Sequence, residues 1–236
     1  MVLLETKISE VKVETRIKQL GFSNHFRQDA VGFSGGIWLL RDEVGTSIQV
    51  LHSQHQLVHV KAKHKASTVE ETVTFVYANP HRLETQVLWD DLCSIASTIS
   101  SDAWMVLGDF NDMHLPNEKY GGGEFCWNSV NAFKQCLESC YINDLGFKGP
   151  KFTWKRNNLQ ERLDRVSVNE RWNVTWPDRE VVHLPYYSSD HRPILLGNPS
   201  IINQDESKSF KFLASWLTDD SFEGIVVSAG TNPPVG

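Results

Sequence analysis

The sequence has no apolar run that could cross a bilayer and little cysteine. No stretch approaches the ~18–20 apolar residues of a transmembrane helix, and Lys7 follows the short apolar start too soon for a secretory signal. We therefore expect no membrane partner. The four cysteines include one Cys-x3-Cys pair, which is not a usual zinc spacing, and we interpret them as reduced thiols of an intracellular protein. They are Cys93, Cys126, Cys136 and Cys140.

The composition excludes a coiled coil, a collagen-like chain and a disordered tail. Hydrophobic residues make up 40% and charged residues 22% of the 236 residues, values typical of a soluble globular protein of one large domain or two small ones. The formal net charge of -6 disfavours a nucleic-acid binder driven by electrostatics. That argument weakens where basic residues cluster or where a bound cation offsets the acidic charge.

Short runs rich in β-branched and aromatic residues recur along the chain and predict strands. The predicted strands are 37–40, 47–51, 57–62, 72–77, 104–107, 151–154, 163–168, 181–184 and 193–196. Three segments with helical spacing of apolar residues predict helices at 11–20, 83–99 and 130–140, with Gly21 as a C-cap. Many strands with few helices favour an α/β or α+β sandwich.

The strongest local signal is Gly108-Asp109-Phe110-Asn111, which follows a buried apolar strand. Alternation along an extended chain predicts that Asp109 and Asn111 share one face at the mouth of the sheet. An acid and an amide placed there suit the binding of a water and a phosphate oxygen. The alternative is an Asx turn that ends the strand, because Asp and Asn favour such positions.

Three further acidic positions carry two interpretations each. Asp190 and His191 are adjacent before a predicted strand. They could be a ligand for a hard metal ion and a phosphate-binding imidazole, or a capping Asp beside a surface His. Asp164 lies between Arg162 and Arg165, as a salt-bridged strand residue or as the orienter of an imidazole. Glu5 either places a carboxylate at the rim of the sheet or favours the dipole of the following helix.

The joint occurrence of motifs suggests a family. In order they are Glu5-Thr6-Lys7, the segments 32–38 and 76–80, Gly108-Asp109-Phe110-Asn111, Arg162-Leu163-Asp164-Arg165 and Ser189-Asp190-His191-Arg192-Pro193. The set resembles the endonuclease/exonuclease/phosphatase superfamily. It is most similar to the apurinic-endonuclease-like domain of plant non-LTR (LINE-type) retrotransposons, a match strengthened by Leu145-Gly146-Phe147, Phe152-Thr153-Trp154 and Phe212-x3-Trp216-Leu217.

The resemblance covers residues 2 to 218 and implies a fold. We expect an α/β, two-sheet, four-layer sandwich of the DNase I-like type over residues 1–218, followed by an irregular tail at 219–236. The family normally begins with an earlier strand that carries an asparagine near the metal. No such segment precedes Glu5, so we expect the sandwich to lack its first strand.

The resemblance also implies residue roles. Glu5 and Asp190 correspond to acidic residues at the divalent metal, normally Mg²⁺ with Mn²⁺ as a plausible substitute. The catalytic positions are Tyr77 at the phosphate site, Asp109 as the base for the attacking water, Asn111 beside it, and the Asp164–His191 pair at the scissile phosphoryl group. Thr153 corresponds to a polar residue near bound DNA.

These roles predict a metal-dependent, DNA-nicking phosphodiesterase that leaves a 3′-hydroxyl, acts as a monomer without a small-molecule cofactor, and works in the nucleus. Lys151, Lys155, Arg156 and Arg162 form a basic cluster that suits a DNA-backbone rim or, alternatively, a solvated hairpin edge. Two other functions stay open. One is a catalytically impaired retrotransposon remnant that binds nucleic acid weakly, and the other is a phosphomonoesterase acting on lipid or inositol phosphates.

Overall fold

A computed structural model describes residues 1–6, 11–30, 35–41, 45–64, 69–99, 102–187 and 189–198. The first part of the 32–38 motif, the Phe212–Trp216 motif, the predicted domain boundary at 218 and the predicted tail at 219–236 lie outside the described residues. Among the described residues, no helix is long and apolar enough to cross a membrane.

Fourteen strands and four α-helices occur in the described part of the chain. The strands are β1 (Val2–Leu4), β2 (Asn24–Gln28), β3 (Ile37–Arg41), β4 (Thr46–Gln54), β5 (Leu57–His64), β6 (Glu70–Tyr77), β7 (Trp104–Asp109), β8 (Lys119–Tyr120), β9 (Ile142–Asp144), β10 (Trp154–Arg156), β11 (Leu159–Glu161), β12 (Asp164–Asn169), β13 (Glu180–His183) and β14 (Ile194–Gly197). The helices are α1 (Val11–Gln19), α2 (Arg82–Thr98), α3 (Trp127–Ser139) and α4 (Glu170–Thr175), with a 3₁₀ turn at Pro116–Glu118.

The largest sheet has six strands in the order β4-β5-β6-β7-β12-β9. Only β6 and β7 pair in parallel, and their register sets Tyr77 opposite Asp109. The antiparallel pair of β7 and β12 sets Asp164 opposite the same Asp109. Tyr77, Asp109 and Asp164, which were singled out from the sequence, therefore meet where these strands begin or end, at one edge of the sheet.

The two faces of the six-stranded sheet are covered differently. Helices α2 and α3 cover one face through a core that includes Trp89, Phe110 and Phe133. On the other face lie the sheet β1-β3-β2 and the ribbon β13-β14, which pack through residues such as Leu39 and Val181. Helix α1 packs outside the three-stranded sheet. The order of layers is helix, sheet, sheets, helix, which is the predicted four-layer arrangement.

The continuous apolar run of strand β3 is explained by burial of both faces of the strand. Ile37 and Leu39 face the six-stranded sheet, whereas Trp38 and Leu40 face α1. A strand buried on both faces reads as an uninterrupted apolar segment instead of an alternating one.

The ribbon β13-β14 carries the 189–193 motif in its connection. It contacts the rest of the backbone through a bridge between Lys148 and Val182 and a second bridge between Trp154 and His191. The amide of Arg192 also donates to the carbonyl of Thr153 at 2.6 Å. The short segment 148–155 therefore anchors this motif.

Most predicted elements are confirmed, and the exceptions have physical reasons. The predicted strand 151–154 is wrong, because only Trp154 lies in a strand there and the preceding residues form an irregular anchor. The sequence analysis missed α4 and the strands β2, β8, β9 and β11, and it found only Trp154 of β10. Strand β2 is polar apart from Phe26 and is only half-buried, so its own pattern is weak and its pairing with β3 defines it.

Candidate active site

Asp109, Asp164 and His191 form a compact ionisable cluster at the edge of the six-stranded sheet. One ligand atom from each lies within 4.8 Å of the others. His191 Nδ1 is 2.8 Å from Asp164 Oδ2, whereas its Nε2 is 3.9 Å from Asp109 Oδ2. The first distance is a hydrogen bond and the second is too long for one. The imidazole is therefore fixed by Asp164 and presents its other nitrogen towards Asp109.

Gly108 allows Asp109 to reach this position. Its φ of 144° is in the region that favours glycine, and a Cβ there would overlap the carbonyl oxygen of Val76. The close approach brings β6 against β7 just before Asp109. The amide of Ala78 then donates to the carbonyl of Asp109 at 2.8 Å. The glycine of the Gly-Asp-Phe-Asn motif is thus a packing requirement as well as a strand end.

Asn111 lies beside Asp109 for a reason other than the one predicted. Its φ is 46°, so the chain has left the extended conformation and strand alternation does not apply. Its backbone N–H donates to Asp109 Oδ1 at 2.9 Å, and its Nδ2 donates to Asp109 Oδ2 at 3.2 Å and to the Ala78 carbonyl at 2.7 Å. This is the Asx turn of the alternative interpretation, and it orients the carboxylate.

Thr153 connects the two halves of the cluster. It is fully buried, and its hydroxyl oxygen accepts the backbone N–H groups of Leu163 and Asp164, each at 3.0 Å. Its carbonyl accepts the N–H of Arg192, next to His191. The position near bound DNA that the resemblance implied does not match this burial. The side chain of Thr153 supports the Asp164–His191 contact from inside the protein.

The arginines that flank Asp164 pair elsewhere. Arg162 and Arg165 are buried, and both bind Glu118 and Asp144 at distances of 2.7–3.1 Å. Asp164 is therefore not paired with the arginines that flank it, and its close side-chain partner is the His191 imidazole, as expected for the residue that orients the ring.

The buried ion network also corrects the predicted basic rim. Arg162 is an internal residue of the network and not a surface contact. Burial raises the pKa of Glu118, but the guanidinium groups of Arg165 and Arg162 and the amide of His114 together outweigh burial, and the net pKa is lowered. The sequence analysis missed Glu118 and Asp144, whose only signal is that two buried arginines need carboxylate partners.

The cluster has an unusual charge distribution. Burial, followed by the charge of Asp164, raises the pKa of Asp109 to about 7. Burial alone lowers the pKa of His191, but the carboxylates of Asp164, Asp109 and Asp190 outweigh it and raise the pKa to about 10. The ring is therefore an imidazolium at neutral pH, between two aspartates.

Glu5 and Tyr77 lie at the same edge. Glu5 follows β1 with a φ of 55°, and its charge contributes to the raised pKa of Asp109. Thr6 approaches the backbone at Gly36 so closely that a Cβ there would overlap the threonine hydroxyl. Tyr77 ends β6 opposite Asp109 and is buried. The predicted residues therefore converge from β1, β6 and β7.

Asp190 and two cations border the cluster on the solvent side. Asp190 is exposed, and its Oδ2 accepts a hydrogen bond from Trp154 Nε1 at 3.1 Å. Lys155 and Arg156 are exposed on β10, and the amide of Lys155 donates to the carbonyl of Asp190. The ammonium of Lys155 lies 4.2 Å from the ring centre of Tyr186. The basic rim predicted at Lys155 and Arg156 is thus on the surface beside the site.

The donor set fits a hard divalent cation. Four carboxylates, from Glu5, Asp109, Asp164 and Asp190, act electrostatically on one another or on His191. Burial is the largest cause of the raised pKa of Asp109, and the charges of Asp164 and Glu5 add to it. Carboxylate oxygens are the ligands that Mg²⁺ prefers, and Mn²⁺ accepts the same donors. Of the predicted metal ligands, Glu5 and Asp190 lie outside the tight three-residue cluster.

Comparison with solved structures identifies the fold. The endonuclease domain of TRAS1, a telomere-specific non-LTR retrotransposon, matches with a TM-score of 0.57 and 16% identity over 84% of this chain and 97% of its own. A D. rerio TDP2 humanized by 14 mutations matches with a TM-score of 0.51 and 14% identity over 82% and 83%. No family model and no curated protein matches the sequence. The chain has the DNase I-like, endonuclease/exonuclease/phosphatase-type fold predicted from its motifs.

Proposed function

We propose that this protein is a divalent-metal-dependent phosphodiesterase, and more specifically a DNA-nicking endonuclease derived from a plant LINE-type retrotransposon. The observation that carries the proposal is the convergence of Asp109 and the Asp164–His191 pair at one edge of the sheet. The DNase I-like fold supports it, as does the resemblance of the ordered motifs to that subfamily.

His191 is suited to bind the scissile phosphoryl group. Because Nδ1 donates to Asp164, the ring orientation is fixed and Nε2 is left as the second donor of an imidazolium. A charged donor aimed at a non-bridging phosphate oxygen stabilises the negative charge that increases in the transition state. Asp164 acts through His191 and does not itself contact the substrate.

Asp109 is suited to take a proton from the attacking water. A pKa raised to about 7 makes it a stronger base than an ordinary aspartate while a substantial fraction stays ionised at neutral pH. Asn111 holds both carboxylate oxygens through its backbone and side-chain N–H groups. A base of this kind typically contributes about 10²–10⁴-fold to the rate.

Glu5 and Asp190 are the proposed metal ligands, with Mg²⁺ as the natural ion and Mn²⁺ as a substitute. When bound, such an ion supplies charge neutralisation on the phosphate oxygens and on the leaving oxygen. It would also offset the acidic charge that acts on Asp109.

The substrate contacts follow from exposure. Lys155 and Arg156 are exposed and are the proposed contacts to the DNA backbone. Tyr77 is buried opposite Asp109, and its proposed place at the phosphate site rests on the resemblance. Each cation that neutralises a phosphate increases the salt dependence of binding by about one unit of slope. Thr153 contributes indirectly through Asp164 and His191. A nuclear location, expected from the resemblance, and action as a monomer complete the proposal.

The test is a supercoiled-plasmid nicking assay with Mg²⁺, Mn²⁺ or a chelator. We expect nicking by the wild-type protein, its loss with chelator, and a decrease of at least about 10²-fold in Asp109→Asn and His191→Ala. Asp178→Asn is the matched control, because it removes one exposed carboxylate in the turn after α4. Helix α4 contacts β7 and the end of β12 away from Asp164, so this change should leave the rate unaltered.

Other outcomes separate the remaining functions. Extension of the nick by a DNA polymerase without pretreatment would show the expected 3′-hydroxyl. Binding of DNA by a folded wild-type protein without any metal-dependent nicking would contradict the enzyme proposal and favour the impaired remnant. Release of inorganic phosphate from inositol phosphates at a higher rate than plasmid nicking would favour the phosphomonoesterase.

A further inference from the structure

Three thiols meet between α2 and α3, away from the proposed active site. One sulfur atom each from Cys93, Cys136 and Cys140 lies within 4.8 Å of the others. Cys140 Sγ is 3.8 Å from Cys93 Sγ, and both belong to the core that packs α2 and α3 against the six-stranded sheet. All cysteines among the described residues are free thiols.

The geometry distinguishes one pair within this cluster. Cys136 and Cys140 are four residues apart at the end of α3, and the amide of Cys140 donates to the Cys136 carbonyl at 2.9 Å. Residues at this spacing have Cβ atoms about 5–6 Å apart, whereas a disulfide needs about 3.5–4.5 Å. A bond within the helix would therefore unwind its last turn. Cys93 comes from the other helix and has no such constraint.

Accessibility distinguishes Cys93 from the other two thiols. Cys93 is partly exposed, whereas Cys136 and Cys140 are buried. The Sγ of Cys136 contacts the carbonyl of Trp89 at 3.9 Å. An oxidant from solvent therefore meets Cys93 first, and the Sγ of Cys140 lies 3.8 Å from the Cys93 sulfur.

We propose that Cys93 and Cys140 are an oxidative modification site that forms an intramolecular disulfide between α2 and α3 when the protein meets a peroxide. This inference is independent of the proposed nuclease function. In the first step the sulfur of Cys93 takes one oxygen from the peroxide to give a sulfenic acid, and one water is released when hydrogen peroxide is the oxidant. In the second step the sulfur of Cys140 attacks the Cys93 sulfur, the S–O bond breaks and a second water leaves.

The electrostatics of the thiols suit the second step. The hydrogen bond from Cys136, with a further one from Cys93, lowers the pKa of Cys140, which favours Cys140 as the attacking sulfur. Burial, followed by the charge of Cys140, raises the pKa of Cys93. The first step is therefore the slow one, and the rate should increase as the pH rises above neutrality.

A thiolate metal site is the competing interpretation. The edge of a tetrahedral zinc–sulfur site is about 3.8 Å for Zn–S bonds of about 2.3 Å, which matches the distance between Cys93 and Cys140. Three thiolates with a divalent ion would, however, leave a net negative charge in an apolar core, and Asp90 adds acidic charge at Cys93. A disulfide is neutral and apolar, so the surroundings favour it.

The experiment uses the full chain with Cys126→Ser, because Cys126 is exposed and would form intermolecular bonds. Reduced protein is treated with hydrogen peroxide, and free thiols are counted after denaturation. Of the three remaining cysteines, two should be consumed, with the loss of two hydrogen atoms in the intact mass and a Cys93–Cys140 linked peptide. Adding Cys136→Ser should leave this bond unchanged, whereas adding Cys93→Ser or Cys140→Ser should abolish it.

The cross-link should also stabilise the protein. It closes a loop of about 48 residues that contains β7, and disulfides that close loops of this length raise Tm by roughly 5–15 °C in a domain of this size. Intramolecular loss of two thiols in the Cys93→Ser or Cys140→Ser protein would overturn the assignment. So would purified protein that holds one zinc ion and protects all three thiols until a chelator is added.

Discussion

Thr153 offers the sharpest test of how the site is held. Its hydroxyl oxygen accepts two backbone N–H groups in a fully buried position, one from Leu163 and one from Asp164. Replacement by valine keeps the shape of the side chain and removes this acceptor. Each buried N–H left without a partner costs about 1–3 kcal/mol, so Thr153→Val should lower the free energy of unfolding by about 2–6 kcal/mol. Typical domains have only ~5–15 kcal/mol in total.

Thr153→Ser is the matched control. Serine keeps the hydroxyl and removes one buried methyl group, which is worth about 1 kcal/mol. The assay is equilibrium unfolding in urea, followed by the fluorescence of the 8 tryptophans. We expect the valine variant to be less stable than the serine variant by at least about 1 kcal/mol, with equal m-values.

A second measurement separates positioning from stability alone. If Thr153 holds Asp164 against His191, then Thr153→Val should lower the pKa of the His191 imidazole, measured by NMR, and Thr153→Ser should not. Equal stability losses in the two variants, together with an unchanged His191 pKa in both, would refute the role of the hydroxyl. The backbone contact from Arg192 to Thr153 is kept in both variants, so it does not confuse the comparison.

Three further predictions concern neighbouring features. Gly108→Ala should lower the free energy of unfolding in urea by more than about 2 kcal/mol, because the new Cβ would overlap the Val76 carbonyl and the φ is strained for alanine. Gly123 has open space around it, so Gly123→Ala should change the free energy of unfolding by less than about 0.5 kcal/mol. Arg165→Met should cost about 3–5 kcal/mol in the same assay by leaving buried Glu118 and Asp144 with too little positive charge, and adding Glu118→Gln should recover part of the loss. In chelator, the pKa of His191 is raised to about 10 from an ordinary 6.5. The protonated ring therefore stabilises the fold fully below about pH 6.5, and this stabilisation is lost as the pH rises through about 10. The stability difference between wild type and His191→Gln should shrink over that window, and a difference that is constant with pH would contradict the raised pKa.

The apolar segments made the sandwich predictable, because the short runs of the strands and the helical spacing of apolar residues can be read from the sequence itself. Strand β3 and helix α2 were found for this reason, close to their observed bounds. Strand β2 has a single apolar side chain, and its formation depends on pairing with β3, which no local pattern reveals.

The site was predictable to the extent that its residues fall in recognisable motifs. Asp164 and His191 are 27 positions apart, so their contact could be predicted from the ordered set of motifs but not from their spacing. Asn111 reached Asp109 through a left-handed turn instead of the expected alternation. Arg162 was assigned to a basic rim, because a single sequence does not show that Glu118 and Asp144 form buried ion pairs with it.

The attachment of His191 to the ribbon β13-β14 has a consequence for native-state populations. Among the described residues, the backbone of the two-stranded unit that carries His191 contacts the segment 148–155, whereas Asp109 is the last residue of β7, an inner strand of the six-stranded sheet. Small units with few backbone contacts open at lower free energy than the central strands of a sheet. We therefore expect the ribbon to open at lower free energy than the sheet, and each opening would separate His191 from Asp109. The closed population of the ribbon sets the upper limit on the fraction of folded molecules that hold a complete site.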